Sequence, residues 1–134
     1  MTSTLSAVVV DCRDPETLAR FWCAALGYVV HAEAEGFVGI VPAEGSGPHL
    51  DFVVVPEPRT VKNRLHLDLR VTAGTPPDQR GHVVQAEVGR LVAAGARVLW
   101  STDDHHVTMA DPEGNEFCVA WAAAARDPQI VVAS

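Results

Sequence analysis

Residues 5–27 read LSAVVVDCRDPETLARFWCAALG, and the two halves of this stretch follow different periods. Leu5 to Asp11 is a short apolar run rich in valine, the pattern of a buried β-strand. Asp14-Pro15-Glu16 then supplies a capping side chain, a proline suited to the first helical position and an early carboxylate. Leu18, Phe21, Trp22, Ala25 and Leu26 recur at the spacing of one helical face. Gly27 stands where a left-handed glycine stops such a helix.

Outward from this start, Tyr28–Ala34, Phe37–Ala43 and Leu50–Val55 read as strands. They are separated by Glu35-Gly36 and by Glu44-Gly45-Ser46-Gly47-Pro48, both turn-rich. The first half is therefore βαβββ. The second half repeats the order. Leu65–Val71 is a strand, and Gly81–Ala94 a helix whose apolar face is Val84, Val88, Leu91 and Val92, stopped by Gly95. Ala96–Ser101, His105–Ala110 and Glu116–Trp121 close it, with Asp111-Pro112-Glu113-Gly114 as a type I turn. Ala25-Leu26-Gly27-Tyr28-Val29-Val30 lies against Ala93-Ala94-Gly95-Ala96-Arg97-Val98. The expected fold class is α+β: one domain over 1–134, built of βαβββ modules at about 5–56 and 64–121 joined near Pro56–Asn63. The tail, 122–134, either docks through Ile130-Val131-Val132 or stands free.

Composition narrows the function. The chain has 134 residues, 48% hydrophobic and 20% charged, which suits one soluble domain able to fold without disulfides. Ten Lys+Arg against 17 Asp+Glu give a net charge of −7 with no basic run, so neither nucleic acid nor an anionic membrane is an expected partner. No apolar run approaches the roughly 20 residues of a membrane span. The N-terminus lacks a basic, apolar leader, and the expected location is the cytoplasm. Cys12, Cys23 and Cys118 show no CxxC spacing and read as separate reduced thiols. There is no Gly-rich phosphate loop, GxSxG elbow or Ser-His-Asp arrangement.

Alternation along the strands points to a polar surface. Leu65, Leu67, Leu69 and Val71 oppose His66, Asp68 and Arg70; Phe117, Val119 and Trp121 oppose Glu116, Cys118 and Ala120. Leu50, Phe52 and Val54 oppose His49, Asp51 and Val53. With the apolar faces under helices, His49, Asp51, His66, Asp68, Arg70, Glu116 and Cys118 face one concave surface as candidate ligand-binding residues. Each also has a plainer reading. Asp68 and Arg70 satisfy one another or Glu116, His66 is a hydrogen-bonded structural residue, His49 is solvated, and Cys118 is a small core residue. Paired, Asp51 and His66 would serve as general base and acid. Asp103-Asp104-His105-His106 reads as a polar hairpin, since strand neighbours point to opposite faces. Trp22 reads as core, His31 as a lone histidine, and Trp100, Phe37 and Tyr28 as either core or pocket lining.

Three segments together, Val10-Asp11-Cys12-Arg13-Asp14-Pro15 with Phe21-Trp22 and Leu26-Gly27, Lys62-Asn63-Arg64-Leu65-His66-Leu67-Asp68-Leu69, and Asp111-Pro112-Glu113-Gly114-Asn115-Glu116-Phe117-Cys118, resemble the glyoxalase-like (glyoxalase/bleomycin resistance protein) branch of the vicinal oxygen chelate superfamily. The resemblance runs from Leu5 to Trp121. It implies paired βαβββ modules with curved mixed sheets around a cavity, formed within one chain or across two, and a homodimer as the expected assembly. In metal-dependent members it implies four ligands, a His or Gln, a Glu, a His and a Glu. Carried over by position, these fall on Ala7, Asp51, His66 and Cys118, of which only His66 fits the pattern. Alanine offers no donor atom and a thiolate changes an oxygen-rich coordination sphere. The expected cofactor is therefore none. The leading functional reading is a protein that binds a small organic molecule, by sequestration or by metal-free catalysis through Asp51 and His66. The alternatives are a metal-dependent lyase, isomerase or dioxygenase with His66 as a ligand, and a non-catalytic structural or interaction module.

Overall fold

The structure, a computed structural model, describes residues 1–71, 76–103 and 106–121. The elements are β1 (Ala7–Cys12), α1 (Pro15–Leu26), β2 (Tyr28–Ala34), β3 (Phe37–Pro42), β4 (His49–Val54), β5 (Leu67–Val71), a 3-10 turn at Pro77–Gln79, α2 (Arg80–Ala94), β6 (Arg97–Asp103), β7 (His106–Ala110) and β8 (Glu116–Trp121). The expected α+β arrangement of βαβββ modules is observed, with one four-stranded mixed sheet in each. No helix among the described residues is long and apolar enough to cross a membrane.

The chain divides into two compact units, Met1–Lys62 with Asp111–Gly114, and Asn63–Ala110 with Asn115–Ser134. In the first unit the strand order is β1-β4-β3-β2, with β1 and β4 parallel and the other pairs antiparallel. The Asp14 carboxylate caps α1 by accepting from the Thr17 backbone N–H at 3.1 Å and from its hydroxyl at 2.6 Å. Pro15 occupies the first helical turn, and Gly27, at φ 70°, ends the helix by donating to the Cys23 carbonyl at 2.9 Å. Leu18, Phe21 and Trp22 pack with Val38, Ile40, Leu50 and Phe52, all buried. Burying each such side chain stabilises the fold by about 1.5–3 kcal/mol.

The second unit repeats that order as β5-β8-β7-β6, again with its first pair parallel. Val84, Val88 and Leu91 of α2 are buried, as are Val107, Met109, Phe117 and Val119 of the sheet. Val92, expected on the same apolar face, is 45% exposed, because it stands about 100° around the helix from Leu91. Leu65, expected in the fifth strand, is 84% exposed, and β5 begins at Leu67. The chain turns before that point, where the His66 ring bonds the Asn63 carbonyl. Register shifts at Val98/Trp100 and Ser101/Asp103 carry β6 two residues beyond its expected end. His105, expected to open the next strand, and the tail 122–134 lie outside the described residues.

The turn Asp111–Gly114 does more than reverse the chain. Its Glu113 carboxylate accepts the backbone N–H groups of Arg13 and Asp14 at 2.8 and 2.7 Å, a negative charge at the positive end of α1. Buried Asp111 accepts the Trp22 indole N–H at 3.2 Å, so Trp22 is a core residue with a partner. Beneath this cluster burial, reinforced by Glu113, Asp14, Asp11 and Asp111, raises the Cys12 thiol from 9.0 to about 11.

Trp22→Phe should cost about 1–3 kcal/mol in denaturant unfolding, because it removes a donor from a buried carboxylate. The raised Cys12 pKa favours the protonated thiol in the native state. Its contribution is fully present below pH 9.0 and is lost as pH rises toward about 11. Melting scans across that window should show a smaller alkaline loss in Cys12→Ala than in the parent protein.

Candidate functional site

Each sheet has one face packed against its helix and one face without a helix. Strand register places His49, Asp51, Asp68 and Cys118 on the latter, whereas the Arg70 side chain lies along α2, Glu116 is buried and His66 precedes β5. In the first unit Ala7 pairs with His49 and Val9 with Asp51 across β1 and β4. On the other side of β4, Gly39 pairs with Asp51 and Phe37 with Val53. Leu50 and Phe52, between these positions, are buried. His49 is exposed, and its ring meets that of His31 edge-on at 5.6 Å between centroids. His31 is thus no lone histidine. It sits at a register shift between Val30 and Ala32, a bulge that the sequence does not announce. Asp51 is half-buried beside Gly39, where an added Cβ would stand 2.9 Å from Asp51 Oδ1 and 3.3 Å from Phe37 Cζ.

In the second unit one row crosses all four strands as Asp68, Cys118, Thr108 and Trp100. The Cys118 thiol and Thr108 hydroxyl lie 3.6 Å apart. Trp100 is 49% exposed, so it is not a core residue, and neither Thr108 nor Trp100 was singled out by alternation within one strand. Asp68 and Arg70 are exposed and form no ion pair with each other among the described residues. Arg70 lines an open groove of about 430 Å³ with Val71, Val83, Ala86, Glu87 and Arg90. Glu116 is buried and its backbone N–H donates to Asn63 Oδ1 at 3.0 Å.

His66 is exposed just before β5, and its Nε2 lies 2.9 Å from the Asn63 carbonyl oxygen. A carbonyl only accepts, so Nε2 carries the proton and Nδ1 is the nitrogen left to accept or to ligate. Asn63 is accordingly a hub, since its Nδ2 also reaches Asn115 Oδ1 at 3.5 Å. Each sheet thus holds its own subset of the expected residues: His49 and Asp51 in the first, Asp68, Arg70, Glu116 and Cys118 in the second, with His66 at the head of β5.

The registers correspond. Val9 stands opposite Asp51 as Asp68 stands opposite Cys118, and Ala7 lies two residues before Val9 as His66 lies two before Asp68. The four positions aligned with a metal-ligand set therefore carry a methyl group, a carboxylate, an imidazole and a thiol. Among the described residues no three His, Cys, Asp or Glu side chains gather in a way that would hold a metal ion. The donor set, lacking a donor at Ala7 and placing a thiol beside Thr108, does not fit the His/Gln, Glu, His, Glu pattern.

No curated protein matches the chain. Solved structures do. A glyoxalase/bleomycin resistance protein/dioxygenase family enzyme from Burkholderia phytofirmans PsJN is 20% identical with a TM-score of 0.68, covering 89% of this chain and 98% of that one. A glyoxalase-related enzyme from Fulvimarina pelagi is 19% identical, TM-score 0.65, covering 90% and 89%. A mutant of the fosfomycin resistance protein FosX from Listeria monocytogenes, complexed with Mn(II) and 1S,2S-dihydroxypropylphosphonic acid, is 12% identical, TM-score 0.67, covering 90% of each chain. At such identities these neighbours speak for the fold. A family model described as a glyoxalase-like domain matches residues 7–120, from β1 into β8. The chain belongs to the glyoxalase-like family, a branch of the vicinal oxygen chelate superfamily.

Proposed function

We propose that the protein binds a small organic molecule through the helix-free faces of its sheets, without a catalytic metal. The observation that supports this reading most is the alanine at the first ligand position, facing a surface otherwise furnished with His49 and Asp51. A face that keeps its polar groups and has a methyl group in place of a metal donor is suited to recognition by hydrogen bonds and charge. The binding residues in this reading are His49, Asp51, His66, Asp68, Arg70, Glu116 and Cys118. Asp51 and His66 Nδ1 are the groups able to exchange a proton with a bound molecule, which allows turnover as well as sequestration. In this reading the protein works in the cytoplasm, and as a homodimer, the assembly that its family resemblance implies.

A metal-dependent reading rests on one specific feature. The His66 Nε2–H···O=C bond to Asn63 is the support that a ligating histidine ordinarily receives from its surroundings. The fosfomycin resistance neighbour, which carries Mn(II), belongs to the same fold.

One thermal-shift experiment separates these readings. Bleomycin, fosfomycin and a panel of small metabolites are screened in metal-free buffer and again with Mn(II). A compound at 100 times its Kd should add about 2.7 kcal/mol of stability, equally with and without EDTA. Asp51→Asn and His66→Ala should each reduce that gain. Stabilisation that requires Mn(II) and disappears in His66→Ala would establish the metal-dependent reading instead. A panel without any stabilising compound would favour a structural module.

A further inference from the structure

We propose that the groove between α1 and β2 binds a small organic cation with an apolar body, its charge met by the Glu16 and Glu33 carboxylates. The groove lies on the helix-bearing side of the first sheet, apart from the helix-free faces, so this inference goes beyond the reading above and does not rest on it.

The vacancy is an open groove of about 550 Å³, a size suited to a small ligand. α1 lends it Glu16, Ala19, Arg20 and Cys23, the i, i+3, i+4, i+7 stripe beside the face that Leu18, Phe21 and Trp22 bury. Ala19 and Val38, both buried, form the floor. β2 supplies the opposite wall. It is antiparallel to β3, which is antiparallel to β4, which is parallel to β1, so β1 and β2 run the same way. The helix that connects them therefore runs against β2. Glu16 at the start of α1 and Glu33 near the end of β2 share one end of the groove, and Cys23 and Tyr28 share the other.

The two ends differ in chemistry. At the first, two carboxylates stand against the single guanidinium of Arg20, and no ion pair joins Glu16 or Glu33 to a cation among the described residues. Arg20 acts instead on Asp14, whose carboxyl is held below its ordinary range by the Thr17 hydrogen bonds and, in addition, by Arg20. The acidic end thus carries an excess negative charge, which a monocation balances. At the other end burial pushes the Cys23 thiol and the Tyr28 hydroxyl above their ordinary values, and that hydroxyl donates to the Pro48 carbonyl at 2.9 Å, so both groups stay neutral. Val30, 49% exposed, extends this apolar end. The open edge of β2 is less suited to an added strand, because the register shift between Val30 and Ala32 interrupts the ladder that such a strand needs.

The test is an NMR titration with phenethylamine, protonated at neutral pH, and with 2-phenylethanol, its uncharged counterpart. The amine should shift the Ala19, Cys23, Val30 and Val38 amide signals saturably, with the alcohol about fivefold weaker, the scale of an exposed charge pair. Glu16→Gln and Glu33→Gln should each weaken the amine, and together bring it down to the level of the alcohol. Arg20→Gln, which removes the competing cation, should tighten it. Glu57→Gln, which removes an equal charge from the linker, should leave binding unchanged. Equal binding of the two compounds, no saturable shift at these signals, undiminished binding in the double variant, as large a loss in Glu57→Gln, or weaker binding in Arg20→Gln would overturn the proposal. Each of those results leaves the thermal-shift screen, with Asp51→Asn and His66→Ala, to decide the reading of the helix-free faces.

Discussion

Phe52 and Leu50 of β4 insert into the core made with Leu18, Phe21 and Trp22 of α1, and that packing dictates where His49 and Asp51 stand. A strand alternates with period two, so a slip of one residue would bury a carboxylate and expose a phenyl ring. Several kcal/mol of apolar burial therefore hold the polar residues on the helix-free face. Phe117 and Val119 enforce the same on β8, where they fix Glu116 and Cys118. Chemistry on either face depends on this constraint before it depends on any property of the polar groups themselves.

The Asp111–Gly114 turn shows a second economy. By sequence it joins β7 to β8, yet it belongs to the compact unit that contains α1. Glu113 binds backbone donors of Arg13 and Asp14 at the start of α1, while Asp111 receives the indole of Trp22 further along it, so two acidic residues of the turn fasten one helix. Two of the three segments that carry the family resemblance, those around Asp14 and around Gly114, meet in space, which gives a physical reason for their occurring together.

The sequence made the architecture legible wherever a local rule sufficed. Asp14 and Pro15 begin a helix, Gly27 and Gly95 end helices, and alternation along Leu67–Val71 and Glu116–Trp121 assigns the faces. It was less informative where the outcome depends on partners distant in the chain. Leu65 continues the leucine alternation but lies outside the strand, because Asn63 and His66 close a turn there. His31 gains a neighbour only when β2 and β4 are folded into one sheet with a bulge at that point. Gly39 reads as an ordinary strand glycine until register brings Asp51 beside it. The candidate site was thus visible as a set of polar positions, whereas its supporting contacts depend on pairings that periodicity does not encode.

Ala7 carries the functional argument furthest, since it is a fact of side-chain chemistry rather than of geometry. A methyl group cannot donate an electron pair, and the neighbouring positions offer charge and hydrogen bonds to an organic molecule instead. The most direct measurement is elemental analysis of protein purified without chelators and exchanged into metal-free buffer. The account predicts well under one equivalent of any divalent transition metal per chain. One tightly retained equivalent, lost in His66→Ala, would contradict it.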